Sequence, residues 1–193
     1  MSAVSKGTSG GEASRLDGLV VRRATPADAA GVARILNEVI EDGRFSLLDT
    51  PFSEEAERAY IEALPERGFI HVGELPGEGI VGFETLEPYA GFVTHELDHV
   101  ATMGTWVDAG YRRRGIGRAL WRATREAALA DGFEKIVTDV RADNDGSLAF
   151  HRSLGFTVIG TARRQARMLR PDGAVDYMDV VLIERFLDDG AGG

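Results

Sequence analysis

The stretch from Val100 to Asp131 constrains this chain more than any other. An apolar strand pattern, Val100 to Val107, runs into a loop of three arginines and two glycines, and that loop opens directly into a helix. In the helix Ile116, Leu120, Ala123 and Ala127 return at helical spacing, and Asp131-Gly132 supplies the stop. A strand that turns at once into a one-sided helix needs a sheet to pack on. The other patterns supply it. Leu19-Val20-Val21 is a short apolar run, and Thr25-Pro26-Ala27-Asp28 starts a helix whose stripe is Val32, Ile35, Leu36 and Val39, ending near Gly43. Ser53-Glu54-Glu55 opens a second helix, with Ala56, Tyr60 and Leu64 on one face and Pro65 near its end.

Phe69 to Glu74 and Ile80 to Leu86 are strand patterns joined by the turn Pro76-Gly77-Glu78-Gly79. Lys135 to Val140 is a further strand, Asn144 to Leu154 a short helix, and Phe156 to Ala162 a strand. Pro171-Asp172-Gly173 then turns the chain into a last strand, Val175 to Ile183. The order implies an α/β fold with a mixed sheet.

At 193 residues and 44% hydrophobic, the chain has material for one sizeable core and is short for two. A single domain over 17–188 is expected, with a loose Gly- and Ser-rich tail over 1–16 and a flexible tail over 189–193. No apolar run has the length of a signal core or a membrane span, so a cytoplasmic protein with no membrane partner is expected. The absence of cysteine removes disulfides, thiolate catalysis and Cys-ligated metal, leaving histidines and carboxylates for any chemistry. A net charge of -9 argues against a surface that tracks nucleic-acid phosphates. The basic cluster Arg112, Arg113, Arg114 and Arg118 is the local exception.

That cluster sits where unpaired helical N–H groups and the helix dipole favour a polyanion, and glycines let the backbone come close. Its charge suits a pyrophosphate and a ribose phosphate. The bland alternative is a basic turn that only joins two elements. A dinucleotide fingerprint is a weak match, because Gly115-Ile116-Gly117 offers two of its three glycines. A nucleotide P-loop is excluded, since Gly-Lys-Ser/Thr does not occur.

Arg112-Arg113-Arg114-Gly115-Ile116-Gly117 resembles the Arg/Gln-x-x-Gly-x-Gly/Ala pyrophosphate loop of the GNAT superfamily of N-acetyltransferases. The segment Asn144 to Phe156 is similar to that superfamily's second signature, an Asn, a short helix and a terminal Gly-Phe, and the element order extends the resemblance from about Leu19 to Arg185. The resemblance implies a mostly antiparallel, splayed sheet flanked by helices, with acetyl-CoA between the strand ending at Val107 and the strand beginning at Lys135. It implies further that Arg112 to Arg118, including Ile116, hold the pyrophosphate, that Trp106 and Val107 pair with the pantetheine, and that Asn144 and Ser147 contact the coenzyme. The reaction implied is transfer of acetyl from acetyl-CoA to a primary amine of a small molecule or amino acid, with no metal. A homodimer is common among similar proteins. A non-catalytic acyl-CoA-binding module is the alternative.

An alkylammonium has a pKa of about 10.4, so at neutral pH only roughly one amine in a thousand is free to attack. A base must take that proton, a main-chain N–H such as that of Val107 can stabilise the oxyanion, and the thiolate needs a proton donor. His151 stands where many relatives have Tyr and is the candidate donor or relay. Members similar to phosphinothricin acetyltransferase also carry His there, and Val39-Ile40-Glu41-Asp42 with Phe45 and Ser53 resembles their substrate loop more loosely. Thr102 stands where that group has Glu, so Glu84, Glu87 or His99 is left to act as base. Glu84, Glu96 and Asp98 give the region an acidic bias suited to a cationic acceptor. Phe45, Leu47, Leu48 and Phe52 either pack under a loop or line a substrate mouth.

His95-Glu96-Leu97-Asp98-His99 matches the zincin string of a metalloprotease. That chemistry needs a helix, where i and i+4 side chains lie about 6 Å apart, against about 13 Å in a strand. The neighbours Phe92-Val93 and Val100-Ala101 favour strand or loop.

Overall fold

The computed structural model describes residues 17–89, 94–169 and 172–187. Both expected tails and the Phe92-Val93 flank lie outside them. Seven strands form one sheet in the order β1-β2-β3-β4-β5-β7-β6. They are β1 (Val20–Arg23), β2 (Phe69–Leu75), β3 (Gly79–Pro88), β4 (Val100–Val107), β5 (Lys135–Arg141), β6 (Thr157–Leu169) and β7 (Val175–Phe186). Every neighbouring pair is antiparallel except β4–β5. Four helices flank the sheet: α1 (Ala29–Asp42), α2 (Glu54–Glu62), α3 (Ile116–Ala130) and α4 (Asp145–Ser153).

The helices separate by face. Val32, Ile35, Leu36 and Ile40 of α1 and Ile61 of α2 bury against Ile70, Val72 and Phe83. On the opposite face Ile116 and Leu120 of α3 pack on Leu75 and Val81, while Trp121, Leu148 and Phe156 join Met103, Ile136 and Ile183. The start of α1 follows the expected chemistry: Thr25 and Asp28 form a reciprocal capping box around a 3₁₀ turn, Pro26–Asp28, and Gly43 ends the helix in a left-handed conformation.

Two expectations need correction. In α2 the inward residues are Glu57 and Ile61, whereas Ala56 and Tyr60 are exposed. Tyr60 reaches back to bond Glu87 through its hydroxyl, which lets the helix turn its all-carbon Ile61 to the core. Strand β6 runs to Leu169 rather than stopping at Ala162. Its outer half, rich in arginine, has no apolar alternation, but ladder bonds to β7 hold it, with a register shift between Ala162 and Ala166 where Arg164 adopts a positive φ of 51°.

Candidate active site

The site begins with a failure of pairing. Strands β4 and β5 share only the register pairs Val100↔Lys135 and Ala101↔Ile136. One step further, the Thr138 hydroxyl donates to the Met103 carbonyl at 2.7 Å, and beyond it the strands part. The other edge of β4 decides which groups face the gap. Tyr89 N donates to Val100 O and Asp108 N to Val81 O, each at 3.0 Å. In an antiparallel ladder the bonds alternate, so Val100, Thr102, Gly104 and Trp106 direct their main-chain groups to β3. The N–H and C=O groups of Thr105 and Val107 therefore point into the gap. Trp106 is thus positioned differently from the expectation that its backbone meets a pantetheine. Its main chain serves β3, its indole stacks on Phe83 at 4.9 Å, and the indole lines the cleft.

The loop after β4 turns sharply into α3. Gly115, at φ 95°, occupies the helix N-cap in a region that disfavours a side chain, and Arg113 also has a positive φ of 61°. The first intrahelical bond is Ala119 N to Gly115 O, leaving the N–H groups of Ile116, Gly117 and Arg118 at the positive end of the helix dipole. Gly117 is closely packed: a Cβ there would stand 3.0 Å from the Phe150 ring, which would have to shift to admit it. Arg112, Arg113, Gly115, Ile116, Gly117 and Arg118 all line a cavity of about 510 Å³. Arg112 donates from Nε to the Val107 carbonyl at 3.1 Å and lies over the Phe45 ring. Arg114 is not among the lining residues and turns onto the Tyr111 ring.

Asn144, Ser147 and His151 enter from α4. The Asn144 side chain accepts from Ser147 N at 3.0 Å as the helix cap, and its amide leans on the Phe45 carbonyl at 3.4 Å. His151 is buried, with Phe150 and Phe156 at 5.3 Å on either side. Its Nδ1 lies 2.8 Å from the Ser147 carbonyl, which can only accept, so Nδ1 carries the proton and Nε2 presents a lone pair. Burial pushes its pKa below the ordinary 6.5, keeping the ring neutral, so His151 can take a proton at Nε2 but has none to give there until it does.

A second cavity of about 410 Å³ adjoins the first through Phe45, Thr105, Trp106, Ser147 and His151. It lies on the α1/α2 side of the split and is walled by Thr102 and Gly104 of β4, Asp139 and Arg141 of β5, and Phe45 to Leu48. Phe52 is not among its walls. Arg141, almost wholly buried, ties the loop down by donating from Nη1 to the carbonyls of Gly43 and Ser46, at 2.8 and 3.0 Å.

None of the three substitute bases lines either cavity. Glu87 is held by Tyr60. His99 is exposed at the closed end of the β4–β5 split, its carbonyl accepting from Lys135 N at 3.1 Å. Glu84 has no exposed surface, so it is not part of an acidic face open to a cationic acceptor. It faces α3, accepts from the Thr105 hydroxyl at 2.7 Å, and burial pushes its pKa up to about 7 against the pull of Thr105 and Thr124. Thr105 is its single link to the cleft. The zincin string is likewise not a helix of the required kind. His95–Leu97 is a 3₁₀ turn, and the His95 ring, 96% exposed, pairs with Asp98 at 3.1 Å.

Residues 32–156 match the family model described as Acetyltransferase (GNAT) family. This chain belongs to that family. Membership makes it an acetyl-CoA-dependent N-acetyltransferase. Among its relatives, the phosphinothricin N-acetyltransferase of Streptomyces viridochromogenes is 28% identical over 143 residues, 74% of this chain and 76% of that protein. The L-methionine sulfoximine/L-methionine sulfone acetyltransferase of Pseudomonas paraeruginosa is 26% identical, over 72% of this chain and 81% of that one. In fold, the structure of a phosphinothricin acetyltransferase from Sinorhizobium meliloti in complex with acetyl-CoA superposes with a TM-score of 0.78 at 19% identity, covering 91% of each chain.

Proline and glycine punctuation and helical periodicity lead to the arginine loop, but they miss Asp139, Arg141 and Gly104. Asp139 had a signal: it interrupts Ile136, Thr138 and Val140 on the alternate parity of β5, which puts it on the other face of the sheet.

Proposed function

We propose that this acetyltransferase moves the acetyl group of acetyl-CoA to the primary amine of a small molecule or amino acid, with the coenzyme along the β4–β5 split. The observation that carries the reading is the gap-facing main chain of Thr105 and the gap-facing N–H of Val107, whose carbonyl Arg112 already holds, set between a polyanion-binding helix terminus and a neutral histidine. In this reading Ile116, Gly117 and Arg118 donate main-chain N–H bonds to the pyrophosphate, and Arg112, Arg113 and Arg118 add charge. The gap-facing N–H and C=O of Thr105 bond the pantetheine amides as an added strand would, while the Val107 carbonyl stays with Arg112. The Val107 N–H stabilises the oxyanion that develops as nitrogen bonds to the thioester carbon. Nε2 of His151 accepts the surplus proton from the nitrogen and returns it to the departing sulfur. Asn144 and Ser147 position His151 by capping and lining α4.

The donor is a charged coenzyme that does not cross a bilayer unaided, which supports a cytoplasmic site of action. Among the described residues no helix is long and apolar enough to cross a membrane. Val158, Ile159 and Tyr177, exposed on the β6–β7 hairpin, support a homodimer as the working form. The test is a thiol-release screen of primary amines with acetyl-CoA. Turnover supports the reading, and tight acetyl-CoA binding without thiol release from any amine replaces it with the non-catalytic module.

A further inference from the structure

One charge of the acceptor-side cavity has no partner among the described residues. Its charged lining residues are Asp139 and Arg141. Arg141 is already engaged: Nε and Nη2 donate to the two carboxylate oxygens of Asp143 at 3.0 and 2.8 Å, and Nη1 is taken by the Gly43 and Ser46 carbonyls. The carboxylate of Asp139 forms no hydrogen bond or ion pair with any described residue. Its side chain is exposed to the open cleft, so water hydrates it there and an entering cation would replace that water. Phe45, Leu47, Leu48, Met103 and Trp106 make up the apolar walls around it.

The position of Asp139 suits a reacting amine. Counted from the pair Val100↔Lys135, Asp139 is level with Gly104 across the opening split, on the face that Thr102 and Trp106 share. His151 lines the same cavity. A zwitterionic acceptor would bring a carboxylate into a space whose one cation is neutralised, beside a second carboxylate.

We infer that the acceptor is a primary ammonium on an apolar body without a free carboxylate, and that Asp139 binds that ammonium and takes the proton it must lose. This rests on the reading of the cleft as an amine-acetylating site. The step balances as follows. The ammonium gives one proton to the Asp139 carboxylate, and the free amine nitrogen bonds to the thioester carbon as the carbon–sulfur bond breaks. The second nitrogen proton passes through His151 Nε2 to the sulfur. The acetamide and coenzyme A thiol leave, and Asp139 returns its proton to water.

The surroundings keep Asp139 suited to this part. Although its side chain is exposed, partial desolvation by the cleft walls moves its pKa upward from the ordinary 3.8. From β4 it is faced by Thr102, Gly104 and Trp106, none of which titrates, and its β7 partner is Leu182. On its own strand Arg141 is held by Asp143 and Lys135 by Glu184, and His151 of α4 is neutral.

Phenethylamine, L-phenylalaninamide and L-phenylalanine share one apolar body and differ at the carboxyl carbon. The wild-type enzyme is expected to acetylate the first two with kcat/KM at least about tenfold above that for L-phenylalanine. Asp139→Asn is expected to lower kcat/KM for phenethylamine about 100-fold at pH 7, a deficit that narrows towards pH 9 as free amine forms without a base, and Asp139→Glu restores part of it. Calorimetry supplies a readout independent of turnover: phenethylamine should bind the wild type about tenfold more tightly than Asp139→Asn, with acetyl-CoA affinity equal in both. L-Phenylalanine acetylated as well as the amines, or phenethylamine that fails to bind the wild type or binds Asp139→Asn equally, overturns the inference. If phenethylamine binds through Asp139 and no thiol is released, the ammonium site stands and the acetyl-transfer reading falls.

Discussion

Glu84→Gln isolates the energetic consequence of a buried carboxyl. Glu84 has no exposed surface, its Oε1 completes no hydrogen bond among the described residues, and its pKa is pushed from 4.5 to about 7. As pH rises above 4.5 the unfolded chain releases this proton, while the folded chain holds it until about 7, so stability falls through that window and is level beyond it. Each tenfold change in an ionisation constant corresponds to about 1.4 kcal/mol, which gives about 3 kcal/mol in total. His71, whose Nδ1 is 2.9 Å from the Thr124 hydroxyl, slopes the other way. Burial lowers its pKa from 6.5 to about 4, so it withholds stability as pH falls through that range. Between 4.5 and 6.5 the two slopes oppose in the wild type. Glutamine mimics protonated Glu84 and removes one of them. Urea unfolding, followed by tryptophan fluorescence at pH 4.5 and pH 8, should find the variant equal to wild type at the first and more stable by about 3 kcal/mol at the second. A gain of the same size at both pH values, or a loss at pH 8, refutes the argument.

Other perturbations test the cleft itself. His151→Ala should lower kcat about 100-fold while changing the KM for acetyl-CoA far less, and the wild-type acid limb of kcat should lie below pH 6.5, because burial keeps the ring neutral down to a lower pH. In Gly104→Ala the new Cβ would stand 2.1 Å from the Trp106 ring, so the indole must leave its stack on Phe83, a contact worth about 1 kcal/mol. A change in near-ultraviolet circular dichroism and a raised acceptor KM are expected. Arg141→Ala strips the Gly43 and Ser46 carbonyls of their donor, at about 1 kcal/mol per bond. Limited proteolysis should then cut within 43–48, and the acceptor KM should rise more than that for acetyl-CoA.

The charge pattern of the cleft bears on what distinguishes this chain within its family. Thr102 offers no carboxylate at the position the resemblance assigns to Glu, and it directs its main chain to β3 like every second residue of β4. A carboxylate reaches the same face of the cleft from the other strand, at Asp139.

Local pattern was sufficient wherever the deciding forces act along the chain. The 3.6-residue stripe of α3, the cap at Thr25 and Asp28, the left-handed stop at Gly43 and the glycine loop before Ile116 are short-range consequences of side-chain size, hydrogen bonding and allowed φ. They carried the fold class and pointed to the arginine–glycine loop before α3. Tertiary structure alone decided what depends on groups far apart in sequence. Ladder alternation between β3 and β4 selects Thr105 and Val107, not Trp106, to open their main chain to the split. Packing of α3 over β3 buries Glu84 completely and joins it to the cleft through Thr105. The parting of β4 from β5 leaves Asp139 without a partner among the described residues, while Asp143 and two loop carbonyls occupy Arg141. Solvation and charge pairing depend on which segments meet in space, and the order of residues along the chain does not record that.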